Sequence, residues 1–567
     1  MKHSRVVVSL GGLVLATGMT AVPAAASSSV LYVSAAASIG GDGSRDAPYN
    51  SLAAVESASG PGDTIVVLPA PRSTAPLDGG IALKSGQTLE GAGRPVTDAG
   101  SSGMAARITN TSAARNAGDA VRLATGNTVR NLEITGSFRG GIYGQGVGSA
   151  RIEGNDVSGA NTSCTKGFFI YFPSDALSHV NGWGAIMIDA DHGASSLVVQ
   201  NNRLHDAACS DGIDVRASGT ARVTARVDRN EVTRLQQGAA FDSLLAIGMQ
   251  TRDRANLTVT SSRNTQTYNG SPGANCEGVF ANQTGGELTW HIDHNTYAHG
   301  IGGTSCNGGE FFVGGGPAVM NVDVAHSTFE DNPGDMIEEN NLGAGSTLRL
   351  TLRDVTARHT TRTPALPPEP TIPPPAFSSF TSHGFCMSQF STGPRASTQL
   401  HMVDSHFSDC ATDGIFAFYA NLPDLGFGSG PGKLSSVDIE NSTIRDVGQY
   451  ALHWVNYADL DALKIKARRS AFTGARGNAV VAFDQAEGAT TATAAIDLGG
   501  GALRSEGRNC VFGGSPVYAE ATRYNVSMRN DWWGTASGPA PQTLSTTSGD
   551  LATQPVLTRA PARCASR

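Results

Sequence analysis

One short pattern recurs along this chain from residue 131 to about residue 530, and it constrains the fold more than any other feature. An apolar alternating run leads into Asn or Ser, then one further residue, an apolar residue and a polar turn. Copies include Ile152-Glu153-Gly154-Asn155-Asp156-Val157, Val199-Gln200-Asn201-Asn202-Arg203-Leu204 and Val227-Asp228-Arg229-Asn230-Glu231-Val232. Ile292-Asp293-His294-Asn295-Thr296-Tyr297, Val324-Ala325-His326-Ser327-Thr328-Phe329 and Ile439-Glu440-Asn441-Ser442-Thr443-Ile444 continue it, with Val403-Asp404-Ser405-His406-Phe407 between them. Several copies are followed by Gly and an aliphatic residue, as at Gly212-Ile213, Gly300-Ile301 and Gly414-Ile415. The commonest spacing is about 27–36 residues, and a fixed period in that range signals a solenoid.

The period within each copy says which solenoid. Apolar residues alternate over runs of four to six, which predicts strands with one face inward. Helical spacing is mostly absent, so the all-helical repeats are excluded. Short strands joined by tight turns and coiling one way make a parallel β-helix, and the crossover preference predicts a right-handed one. The repeated Asn is read as structural: it tolerates the left-handed backbone region, and its amide can reach the neighbouring turn. Composition agrees with an all-β, turn-rich chain. Of 567 residues 69 are Gly, 40% are hydrophobic and only 16% charged, a balance that excludes disorder and coiled coils. Net charge is −8 with no dense basic run, which argues against a nucleic-acid partner.

The ends carry their own signals. Lys2, His3 and Arg5 precede an apolar stretch and Pro23-Ala24-Ala25-Ala26, the pattern of a secretory signal over residues 1–26. Residues 27–63 read as an N-terminal cap, in which Asn50 or Ser51 caps a short helix with Leu52 and Val55 on its apolar face. Residues 64–540 read as the β-helix, interrupted by a Pro-rich insertion at about 363–380, and 541–567 as a C-terminal strap. The expectation is a monomer, secreted or periplasmic, with no membrane span once the signal is removed. Export makes disulfides the natural reading of Cys164, Cys209, Cys276, Cys306, Cys386, Cys410, Cys510 and Cys564, none of which forms a Cys-x-x-Cys pair. The sequence leaves their connectivity open. In a solenoid, whose coils touch only their neighbours, pairing in chain order is expected.

Two stretches resemble a known family. Gly41-Asp42-Gly43, Ala47-Pro48-Tyr49 and Gly62-Asp63-Thr64-Ile65 resemble the opening segment of secreted bacterial right-handed β-helix proteins of the pectate-lyase-like superfamily. Trp532-Trp533-Gly534, with Ser537-Gly538-Pro539, resembles their closing segment. The resemblance implies the fold over most of residues 30–540. It implies action on, or binding to, an extracellular polysaccharide, by lyase or hydrolase chemistry or as a non-catalytic adhesin-like module. His291-Ile292-Asp293-His294 resembles a pectate-lyase stretch whose Asp binds calcium with two later Asp residues, which Asp331 and Asp335 would supply here. Arg395 then falls near the family's catalytic Arg, although Trp290 stands one residue early and the paired-Arg pattern is absent. Ser210-Asp211-Gly212-Ile213-Asp214 resembles part of the acidic strip of polygalacturonase-like hydrolases; it is also an ordinary turn-to-strand step.

The residues themselves add an acidic run, Glu330 to Glu339, with five carboxylates in ten residues, and a second step at Asp409 and Asp413. Both show Asp-x-x-x-Asp after a Ser-x-Phe-x step, and so share one phase of the coil. Carboxylates held together repel, and calcium, a hard cation with oxygen ligands, would relieve this. That reading makes Asp293, Asp331, Asp335, Asp409 and Asp413 metal ligands, and Asp331, Asp335 and Arg395 the catalytic set. The alternative is that these Asp residues cap turns. Alternation places His291 and His294 on opposite faces, so no histidine metal triad is expected there.

Overall fold

The computed structural model describes residues 28–93, 104–170, 180–241, 243–303, 305–361, 384–420, 432–457, 460–476, 481–485, 493–513, 517–519, 525–539, 544–546 and 551–565. The expected signal sequence and the Pro-rich insertion lie outside them. The chain coils through three sheets in turn, of 17, 13 and 15 strands among the described residues. One coil runs Arg222–Asp228 in the first sheet, Glu231–Leu235 in the second and Leu245–Thr251 in the third. It then returns to Asn256–Ser262, in parallel register with Arg222–Asp228. All pairings within these three sheets are parallel; Lys166–Ile170 with Val180–Gly182 and Ala70–Pro71 with Met104–Ala105 are the antiparallel pairs. The protein is a parallel β-helix.

Alternation produces the core. Arg222–Asp228 buries Val223, Ala225 and Val227 and exposes Arg222, Thr224 and Arg226. Such inward residues stack from coil to coil into one cluster that runs from Val33 to Trp533. Where a Gly precedes a third-sheet strand it is there for space: a Cβ at Gly212 would fall 2.2 Å from the Ala246 oxygen, and one at Gly414 2.1 Å from Ile444. Gly300-Ile301 departs from this, since Ile301 is exposed.

The repeated Asn and Ser form a buried ladder at the corner between the first and second sheets. Asn202 donates its backbone N–H and its amide to Asn230 Oδ1, both at 3.0 Å. Asn230 does the same to Asn264, and Asn264 to Asn295. Asn295 donates to Ser327 Oγ, and Ser405, Ser442, Ser470 and Asn509 carry the series on to Asp531. The coil at Thr347–Arg358 breaks it with Val355, which is why that coil is hard to see in the sequence. The left-handed backbone belongs to the residue before each ladder position, not to the ladder Asn. Asn201, Arg229, Arg263, His294 and His326 have φ of 55°, 52°, 53°, 55° and 48°. That residue turns the corner, so that the Asn after it can aim its amide inward to the next coil.

At the N-terminal end, Ser51 Oγ accepts from Ala54 N at 3.3 Å and caps a helix at Leu52–Ala58. Leu52 and Val55 are fully buried in the core cluster, so this helix covers the open end as solenoids require. Val30–Val33 is already in register with Thr64–Val67. At the other end Trp533 is buried on the last coils, and Leu551–Ala552 pairs with Val526–Ser527. The disulfides pair in chain order: 164–209, 276–306, 386–410 and 510–564.

Glu339 is an acidic residue at an inward position. It lies in the core, accepts from Gln389 Nε2 at 2.7 Å, and burial pushes its pKa up to about 8. Tyr419 hydroxyl donates to Gln389 Oε1 at 2.6 Å and completes the chain. The folded state therefore keeps a proton that the unfolded chain releases near 4.5. Stability from this group is present below pH 4.5 and is lost as pH rises towards 8, by a few kcal/mol at about 1.4 kcal/mol per unit. Glu339→Gln is expected to flatten the fall in melting temperature between pH 5 and 8. Parallel falls in wild type and variant would refute the assignment.

Candidate active site

The third sheet breaks the rule that outward residues are exposed. Its strands Cys276–Gln283 and Cys306–Val313 are buried on both faces, apart from Gly278. Val279, Ala281, Phe311, Val313 and Ile337 point into the core. The outward positions alternating with them are Glu277, Phe280, Asn282, Asn307, Glu310, Phe312, Glu338 and Asn340. The strand register skips Gly278 and Gly308, where a Cβ would come within 2.4 Å and 2.5 Å of the Gly308 and Met336 oxygens. At this step two consecutive residues face the core in neighbouring coils, Ala246 with Ile247 and Met336 with Ile337. This break in the alternation leaves Glu277 and Asn307, in register with outward Leu245, on the outer face.

These residues meet. Asn307 Nδ2 donates to Glu338 Oε2 at 2.8 Å and to Glu277 Oε1 at 3.4 Å. Asn340 Nδ2 donates to Glu310 Oε1 at 2.8 Å and to Glu338 Oε1 at 2.9 Å. Glu310 and Glu338 are direct register partners, on strands that pack about 4.7–4.9 Å apart. Asn307 Oδ1 accepts from Asp335 N at 2.8 Å, which fixes the amide's orientation. Glu277, Glu310 and Glu338 are only 2%, 5% and 8% exposed, although they face away from the core. Leu245, Phe280 and Phe312 form a separate apolar cluster on this face, packed by Phe168 and Leu342.

A second acidic group lies on the same face, towards the N-terminal end. Asp211 Oδ1 accepts from Leu245 N at 3.0 Å, and Asp211 Oδ2 accepts from Asn181. Burial pushes the Asp211 pKa up to about 7. Burial and the neighbouring Asp211 hold Asp214 well above the usual carboxylate range. In the next outward position Arg216 binds Asp189 through two bonds at 2.8 and 2.7 Å and lies 4.0 Å over the Phe168 ring. Arg139, 4.1 Å over Trp183, is held by Asp119. The hydrolase-like strip in the sequence thus marks a buried carboxyl pair beside an aromatic and guanidinium wall.

The residues singled out in the sequence are spread around the coil. Asp293 lies at the corner between the first and second sheets, where its Oδ1 accepts from His326 Nδ1 at 2.8 Å and from His294 Nδ1 at 2.9 Å. Their ligand-type atoms lie within 4.8 Å of one another, a nitrogen-rich set better suited to zinc than to calcium. Asp331 and Asp409 share the left-handed turn at the corner between the second and third sheets, with φ of 56° and 55°. Asp331 pairs with His299 at 3.0 Å and with His359. Asp335 and Asp413 share the buried step that follows. Asp335 accepts from Gly384 N, Phe385 N and Ser388 Oγ, and Asp413 from Tyr450 N and His453 Nδ1. Arg395 is an exposed turn residue at the third corner, with φ of 58°. Asp293, Asp331 and Arg395 therefore stand at three different corners and are not brought together.

Sequence reading missed Glu277, Asn307, Glu310 and Asn340 because each stands alone in its own coil. The signal available was polar residues at one register position of successive strands, in runs otherwise fit for burial on both faces.

No protein-family model matches the chain, and no curated protein matches it. Among solved structures it is similar to the catalytic unit of a thermostable GH87 alpha-1,3-glucanase from Streptomyces thermodiastaticus strain HF3-3. Identity is 13% over 87% of this chain and 70% of that one, with a TM-score of 0.41. It is also similar to DFA-IIIase from Arthrobacter chlorophenolicus A6 in complex with GF2, at 13% identity over 80% of this chain and 84% of that one, with a TM-score of 0.30.

Proposed function

We propose that this chain is a secreted enzyme that cuts a polysaccharide by glycoside hydrolysis, with the outer face of the third sheet as its groove. One observation carries the reading: Glu277, Glu310 and Glu338, from three consecutive coils, meet through two amides on an outward face shut off from bulk water. Glycoside hydrolysis uses two carboxyls, one to protonate the leaving oxygen and one as nucleophile or base. Glu338 accepts an amide N–H on each of its oxygens, which holds its carboxylate in one orientation, so it takes the second role. Glu310, its register partner, takes the first. Glu277 stands one coil before, at the far side of Asn307, and Phe280 and Phe312 keep the floor dry.

The same carboxylates bear on the substrate. A groove floor with three of them repels a polyuronide, so the substrate proposed is a neutral glycan, in place of the acidic one expected from the family resemblance. Four disulfides fit an exported protein. Among the described residues no helix is long and apolar enough to cross a membrane. The test is release of reducing ends from neutral and acidic polysaccharides, with calcium or chelator, while ultraviolet absorbance reports unsaturated ends. Hydrolysis of a neutral glycan, without that absorbance and unaffected by chelator, is expected. Chelator-sensitive cleavage with absorbance would replace this reading by a calcium-assisted lyase. Binding without cleavage of any glycan would make the chain a non-catalytic module.

A further inference from the structure

We propose that a cleft beneath the C-terminal segment binds an anionic polymer, one carrying carboxylate, sulfate or phosphate groups at close intervals. The cleft, of about 590 Å³, has four arginines in its lining, Arg469, Arg508, Arg559 and Arg563, and no carboxylate among the described residues there. Arg469 and Arg508 hold the left-handed turn position of consecutive coils, with φ of 49° and 63°, and Arg469 N donates to Gly507 O at 2.8 Å. Their Cα atoms are therefore set about one strand spacing apart, ~4.8 Å. The facing wall is the segment Leu557–Arg563, fastened where Leu557 N donates to Asp531 O at 3.0 Å and by the disulfide Cys510–Cys564.

Register and a covalent bond thus bring four positive groups to one place. Arg563 Nη2 and Arg469 Nε donate to the same atom, Asn441 Oδ1, at 3.2 and 3.0 Å. Nearby carboxylates offset part of the charge: Glu440 and Glu506 bind Arg469, and Asp404 acts on Arg563. None of the three belongs to the lining. Guanidinium suits this task because it is always charged and meets carboxylate, sulfate or phosphate through two parallel bonds. Holding like charges together costs free energy, which a bound polyanion returns. The spacing by coils favours a polymer over a single small anion. The cleft lies on the corner between the first and second sheets near the C-terminal end, apart from the carboxylates of the third sheet. It would hold the protein to a charged matrix while the groove acts on a neutral chain.

The test uses the full mature chain and two probes, polygalacturonate and polyphosphate, with inorganic phosphate as competitor. Wild type is expected to bind at least one polymer at low salt, more weakly as salt rises. Arg508→Ser with Arg559→Ser, both exposed positions, is expected to weaken that binding at least tenfold with melting temperature and glycan cleavage unchanged. Equal binding by wild type and variant, or no polymer binding by wild type at low salt, would overturn the proposal. So would inorganic phosphate binding as tightly as the polymers. None of these results alters the reducing-end assay, so this inference and the hydrolase reading fail separately.

Discussion

Replacing Glu338 with Gln is expected to lower the rate of glycan cleavage roughly a thousandfold, within the range for loss of an acid–base group. The fold should stay intact. Gln keeps an acceptor for one of the two amides that hold Glu338, and the strand register around it is unchanged. Glu310→Gln should give a loss of similar size, because the two carboxyls act on the same bond. Asp335→Ala is the informative contrast. Its carboxylate accepts from the buried N–H groups of Gly384 and Phe385 and from the Ser388 hydroxyl, and its own N–H orients Asn307. Removing it leaves those donors without an acceptor and should cost about 2–4 kcal/mol of stability. If Glu338→Gln melts like wild type and is inactive, while Asp335→Ala melts low, chemistry and turn structure are separated. A Glu338→Gln protein of wild-type activity would end the hydrolase assignment.

The contrast explains what the sequence could and could not disclose. The run from Glu330 to Glu339 looks like a single acidic site, yet its five carboxylates leave in different directions. Glu330 binds Arg358 on the surface, and Asp331 turns a corner between His299 and His359. Asp335 holds backbone, Glu338 faces outward from the third sheet, and Glu339 points into the core against Gln389. A strand alternates its faces and a corner rotates the chain, so proximity in sequence disperses side chains here. Proximity across coils does the reverse. Glu310 and Glu338 are neighbours because parallel register makes them so, and nothing within either coil announces it. The repeat, the helical cap at Leu52–Ala58 and the disulfide order were legible because each depends on local pattern or on the solenoid rule that coils touch only their neighbours. The carboxylate cluster on the third sheet depends on register between coils, which a single sequence shows only after the coils are aligned.

The ladder that sets that register should be the most sensitive structural element. Asn230→Ala is expected to destabilise the protein by roughly 3–6 kcal/mol. Asn230 Oδ1 accepts two bonds from Asn202, while its amide donates to Val199 O and to Asn264 Oδ1, each at 3.0 Å. Alanine removes all four inside a site where water cannot substitute. Asn230→Ser should cost far less, because the fold already uses Ser at this position. Ser327, Ser442 and Ser470 accept from the preceding coil and donate back to the carbonyl two residues earlier. The order Ala worse than Ser, measured by denaturant unfolding, is the expected result. Equal costs would mean that apolar stacking alone sets the register. Because each coil leans on its neighbours, the Ala defect should also loosen what lies next to it. Hydrogen exchange should quicken first at Asn202 and Asn264, on either side of the gap, before it reaches the carboxylates of the groove.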